Sequence, residues 1–140
     1  MTEFRYSICD PLKPEIQEMG TVTKEEFIRV MNDFDWMKML NSLNQAESNG
    51  EKIFFSPSLE LENLQTKQGI TVSIIGEEEN HEFYIFYRRP KKIKTALGLI
   101  DSPEGLYETS DYQEQWMEDA EDAFTVLLEG DTDTLEDRWG

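Results

Sequence analysis

The chain is 140 residues long, 38% hydrophobic and 11% aromatic, which suits one domain with a packed core and excludes global disorder. Its 30 Asp and Glu outnumber 13 Lys and Arg, and the formal net charge of −17 repels nucleic acid and anionic membranes while drawing cationic partners. One cysteine, Cys9, rules out an internal disulfide framework; without a secretory leader or an apolar run of ~20 residues, a cytoplasmic protein is expected.

Phe4, Tyr6 and Ile8 alternate ahead of Pro11 and predict a short first strand. Thr23-Lys24-Glu25-Glu26 has the spacing of a capping box, with Val22 and Phe27 placed for a hydrophobic staple. Phe27, Val30, Met31 and Phe34 then form one apolar stripe at helical spacing. Trp36, Met39, Leu40 and Leu43 form a second stripe that points almost the opposite way. The reversal predicts a break between Asn32 and Trp36, with Asp35 capping a second helix. Asn49-Gly50 signals a turn. Ile53, Phe54 and Phe55 predict a strand ending before Pro57, and Leu59 and Leu61 alternate with Glu60 and Glu62 as a half-exposed strand.

The stretch Gly69–Arg89, GITVSIIGEEENHEFYIFYRR, predicts a β-hairpin with a longer polar loop at Gly76–His81. Phe83, Ile85 and Tyr87 project to one side of its second strand, Tyr84 and Phe86 to the other, which places that strand inside a sheet. Pro90 interrupts it, Ile93–Ile100 continues it or runs irregularly toward the edge, and Asp101–Gly105 is a loop. Ser110 and Gln113 read as a second capping box. The helix they open is lined by Tyr112, Trp116, Ala120, Ala123, Phe124 and Leu127 and stopped by Gly130. Residues 131–140 read as a short acidic tail. The expectation is a single globular domain over 1–140 of α+β class: a mostly antiparallel sheet of four to six strands, with an N-terminal helical pair and a C-terminal helix packed on it.

Residues with catalytic promise are few. His81 is the sole histidine and Cys9 the sole cysteine, so the usual zinc ligands are missing. The segment DTDTLEDRWG alternates acids but lacks the glycine and the spaced glutamate of a calcium loop. No glycine-rich phosphate loop precedes a helix, and thirty acids make carboxylate pairs uninformative. The expectation is therefore no enzyme, no cofactor and no metal. Fourteen acids and one base lie between Asp101 and Gly140, whereas RRPKKIK (Arg88–Lys94) is a basic strand end. Along the predicted C-terminal helix, Asp111, Glu114, Glu118, Glu121 and Asp122 lie away from the apolar stripe. Pairs such as Glu114 with Glu118 and Glu118 with Asp122 each cost roughly a few tenths of a kcal/mol. A helix that bears such repulsion with no intervening base points to a cationic protein partner, met also by the loop acids Glu77, Glu78 and Glu79.

TKEEFIRVMNDF, the strands from Ile53 to Arg89, and MEDAEDAFTVLLEGDTDTLEDRW, in that order, resemble the layout of the immunity proteins of bacterial polymorphic-toxin systems, notably those that accompany nucleic-acid-deaminase toxins. The resemblance implies stoichiometric inhibition, in which an acidic surface docks on a basic toxin and occludes its active site. It is one of layout and carries over no individual residue. Two further readings stay open: a nucleic-acid mimic whose carboxylates stand in for phosphates, and a small ligand-binding domain that uses the aromatic sheet face as a pocket.

Overall fold

A computed structural model of the chain describes residues 3–95, 98–101, 105 and 107–140. Two strands, β1 (Phe4–Cys9) and β2 (Gln17–Val22), come first and pair with each other. The helical pair expected at the N-terminus therefore follows them: α1 (Lys24–Asp33) and α2 (Trp36–Ser48). At the start of α1 the capping box closes as expected. Thr23 Oγ1 accepts from the Glu26 N–H at 3.1 Å and Glu26 Oε1 accepts from the Thr23 N–H at 2.9 Å. The break falls at Phe34–Asp35, where Asp35 Oδ1 accepts from the Lys38 N–H at 3.0 Å and starts α2. That turn lets Phe27 and the Trp36–Leu40–Leu43–Ala46 stripe reach the same core from differently aimed helices.

Residues 51–57 contain no strand, so the expected Ile53–Phe55 strand is absent; Phe54 instead donates its N–H to the Pro11 carbonyl at 2.9 Å. Next come β3 (Ser58–Asn63), β4 (Gly69–Glu77) and β5 (Asn80–Pro90). The β4–β5 hairpin pairs from Gly69 with Arg88 out to Glu77 with Asn80, so its turn is only Glu78 and Glu79, tighter than the loop expected. Gly76 makes that pairing possible. Its φ is +104°, and a Cβ there would meet the Asn80 carbonyl oxygen at 2.5 Å.

Beyond Pro90 the chain pairs with itself. β6 (Lys92–Thr95) and β7 (Gly98–Asp101) form a separate antiparallel ribbon rather than an extension of the main sheet. The loop expected at Asp101–Gly105 lies mostly outside the described residues. β8 (Tyr107–Gln115) then pairs with β5 from Pro90–Tyr107 to Phe83–Gln115. The main sheet is antiparallel with order β2-β1-β3-β4-β5-β8, which places β5 one strand in from the edge. Two helices close the described chain, α3 (Met117–Glu129) and α4 (Thr132–Trp139).

The expected helix start at Ser110 is thereby corrected to Met117. Ser110 caps nothing; its hydroxyl accepts from Arg89 Nη1 at 2.7 Å, and the ladder with β5 holds its backbone extended. The working cap is Asp119, whose Oδ2 accepts from the Trp116 N–H at 2.8 Å. Nor is 131–140 a tail. Asp131 caps α4 through the Thr134 N–H at 3.1 Å, and Leu135 and Trp139 are buried.

The buried sheet residues Phe4, Leu59, Leu61, Ile70, Val72, Ile74, Phe83, Ile85 and Tyr87 share one face, and the helices cover it. Phe27 sits at its centre, edge-on to Tyr6 at 5.7 Å and to Phe124 at 5.2 Å. No helix among the described residues is long and apolar enough to cross a membrane. Because Leu135 is fully buried, Leu135→Ala should destabilise the fold by about 2–5 kcal/mol in chemical denaturation. An unmoved midpoint would return 131–140 to the status of a solvated tail.

Candidate functional site

The eight acids that sequence reasoning grouped are all exposed, but they stand on three different elements. Glu77 ends β4, and Glu78 and Glu79 form the hairpin turn. Asp111 and Glu114 belong to the edge strand β8. Only Glu118, Glu121 and Asp122 are on α3, so the continuous acidic helix and its Glu114–Glu118 pair do not exist. Glu118 and Asp119 occupy the first turn of α3, where the helix dipole favours negative charge. Their position there has a local cause that the longer expected helix hid.

The register brings Asp111 and Glu114 into a setting that the sequence did not reveal. Asp111 lies opposite Phe86, on the sheet face that carries no helix. Glu114 sits in a β-bulge between the pairs at Phe83 and Ile85, with φ +56°. Tyr84 lies among them. Desolvation first, then Glu82, and then Glu114 and Asp111 push its phenol upward. Glu82 is thus a member of the acidic group that sequence reasoning missed; its signal was the alternation of Glu82 with Tyr84 and Phe86. The Tyr84 and Phe86 rings lie 6.4 Å apart.

The hairpin tip is anchored from α2. Asn44 Nδ2 donates to the Gly76 carbonyl at 2.9 Å and Asn41 Nδ2 to Glu78 Oε2 at 3.4 Å. His81 packs edge-on against Phe83 at 5.7 Å, with its Nδ1 3.0 Å from the Glu78 carbonyl oxygen. Asp122 meets Arg138 at 3.5 Å; among the described residues the other seven acids form no ion pair. Trp116, expected in the buried stripe, is 75% exposed. It falls outside the helix that the periodicity had assigned to it.

Farther along the same open face, Ser7, Cys9, Ile16, Glu18, Ser58, Glu60 and Thr71 line a cleft of about 120 Å³. That is well below the ~300 Å³ at which small-molecule pockets begin. The Ser58 and Ser73 hydroxyls pair at 2.6 Å, and Thr71 Oγ1 donates to Glu60 Oε2 at 2.8 Å. Burial, then Glu60 and Glu18, push the Cys9 thiol up, which keeps it protonated and a poor nucleophile. Among the described residues no cluster of three or more His, Cys, Asp or Glu is placed to hold a metal ion.

One polar network lies on the helix-covered side. Gln68 Nε2 donates to Tyr87 Oη at 3.0 Å, and the Tyr87 hydroxyl donates to Glu136 Oε1 at 2.8 Å. Arg89 stacks over the Tyr87 ring at 4.8 Å, with its Nε 3.6 Å from both Glu108 and Glu136. The network fastens α4 to β5 and β8, and its role is structural.

Burial first, and then Glu136, push the Tyr87 phenol far above its ordinary value. A raised value in the folded state means that the fold holds this proton more tightly. The stabilisation is complete below the unfolded value of about 10 and is lost as the pH climbs beyond it. In an alkaline titration followed by phenolate absorbance, Tyr87 should ionise only as the chain unfolds, and Tyr87→Phe should remove that late step. Ionisation of all five tyrosines ahead of unfolding would contradict the network. No family model, no curated protein and no solved structure matches the chain.

Proposed function

We propose that the chain is a non-catalytic binding protein that neutralises a basic protein by covering its working surface. Seven exposed carboxylates without an ion pair among the described residues, Glu77, Glu78, Glu79, Asp111, Glu114, Glu118 and Glu121, carry this reading. Unpaired surface charge of one sign contributes little to stability and much to the rate at which an oppositely charged partner arrives. In view of the layout resemblance, the partner is a bacterial toxin with a basic, substrate-binding face, and inhibition is stoichiometric. Neither the cleft of about 120 Å³ nor an open depression of about 360 Å³ along Lys13–Gln17 has an aromatic lining, which supports this reading over that of a ligand-binding domain on the aromatic sheet face. The spread of the acids over a turn, an edge strand and a helix supports it over mimicry of a regular phosphate row.

The test is association with a basic protein encoded beside this chain, followed by stopped flow at several salt concentrations. The rate should fall by about tenfold or more from low to high salt. Glu118→Lys combined with Glu121→Lys should slow it further and flatten the salt dependence while lowering the thermal midpoint by no more than roughly a few degrees, the cost of placing a cation in the first turn of α3. These two are preferred to Asp122, which is already engaged with Arg138. A rate indifferent to both salt and reversal would remove the acidic surface from the contact. Turnover of a substrate by the chain alone would overturn the non-catalytic reading.

A further inference from the structure

We infer that the junction of β8 and α3 is an arginine-docking surface, in which the exposed Trp116 indole and the flanking Glu114 and Glu118 carboxylates take a guanidinium-bearing segment of a basic protein. This deepens, and rests on, the reading of the chain as an acidic binding protein.

Three independent observations meet at this junction. The first is the indole itself. Trp36 and Trp139 are 5% and 2% exposed, whereas Trp116 is 75% exposed. The fold uses the Trp116 backbone, whose N–H is taken by Asp119 and whose carbonyl accepts from Asp119 and Ala120, but its side chain makes no cap hydrogen bond. A Ser or Asp would start α3 better, so nothing in the fold accounts for the ring. Tryptophan is the residue that most often anchors protein interfaces.

The second is the backbone two residues earlier. Glu114 holds a left-handed conformation, φ +56°, that a glycine would adopt without strain. The bulge thus keeps a carboxylate where local geometry disfavours any side chain.

The third is charge. Glu114 precedes the ring by two residues and Glu118 follows it by two, and neither forms an ion pair among the described residues. Asp111 and Glu82 extend the same sign around Tyr84. An indole face attracts cations, and a guanidinium can stack on it while its edge donates to a carboxylate, a combination open to arginine and not to lysine. A second copy of this chain fits poorly, because a two-fold contact here would set Glu114 and Glu118 against their own counterparts.

The experiment uses the full chain with two probes of equal charge, an arginine octapeptide and a lysine octapeptide. With the other two indoles buried, acrylamide quenching of the fluorescence reports chiefly on Trp116. The arginine peptide should bind more tightly than the lysine peptide and shield Trp116 from acrylamide. Trp116→Ala should cut its affinity roughly five- to tenfold, to the level of the lysine peptide, with an unchanged thermal midpoint, and Trp116→Phe should restore most of the loss. Glu114→Gln with Glu118→Gln should weaken the arginine peptide as well. If both peptides bind equally and Trp116→Ala alters neither, the junction is not the docking surface, although the acidic-binding reading survives. If neither peptide binds even at low salt, both fall.

Discussion

The sheet has six strands but enough helix to cover only one of its faces, and the rest of the molecule follows from that imbalance. The covered face takes the large apolar side chains, and each helix contributes a stripe to a single core around Phe27, Phe83 and Phe124. The uncovered face must meet water without losing its strands. It does so with rows in which polar and acidic residues surround the half-buried Tyr84 and Phe86 rings; one runs Ser7, Glu60, Thr71, Phe86 and Asp111 across five strands. On this face the sheltered hydroxyls of Ser58 and Ser73 pair with each other at 2.6 Å. An unpaired buried hydroxyl would cost on the order of 1–3 kcal/mol.

Much of this plan was legible. The capping box at Thr23, the reversal of the apolar stripe at Asp35 and the two-sided β5 all rest on short-range chemistry that a sequence displays directly. What escaped were elements whose stability comes from distant partners. β2 (Gln17–Val22) shows no alternation and is a strand because β1 offers it a ladder. β8 reads as polar, and its Ser110–Gln113 spacing imitates a helix start until Arg89 is seen to claim the serine. α4 is only eight residues long, too short to persist without the burial of Leu135 and Trp139. Of the site, exposure of the acids was readable and their grouping was not, because grouping depends on which residues are helical and which extended. The same error hid Trp116, which helical periodicity assigned to the core.

Several basic residues have internal duties. Arg5 pairs with Glu62 at 2.7 Å, Arg138 reaches Asp122, and Arg89 lies between Glu108 and Glu136. Arg89 Nε, cut off from water, faces both carboxylates without a hydrogen bond to either. Cations spent in this way are not available to the exposed acids on the turn, the bulge and α3, which apart from Asp122 form no ion pair among the described residues. Most of the negative charge thus stays on exposed carboxylates that form no ion pair among the described residues.

The two outermost strands share a device. In β2 the register slips opposite Tyr6–Ser7, beside Gly20 at φ +91°, and in β8 it slips at Glu114. Each free border is therefore kinked as well as charged: Glu18 stands on one, Glu108, Asp111 and Glu114 on the other. An open sheet with straight borders is a template on which further chains can add strand by strand. Acid conditions that protonate the carboxylates would strip away the electrostatic protection, but the irregular hydrogen-bond spacing at both kinks would persist. A sheet whose second face carries no helix among the described residues is thereby guarded against fibrillar growth by backbone shape as well as by charge.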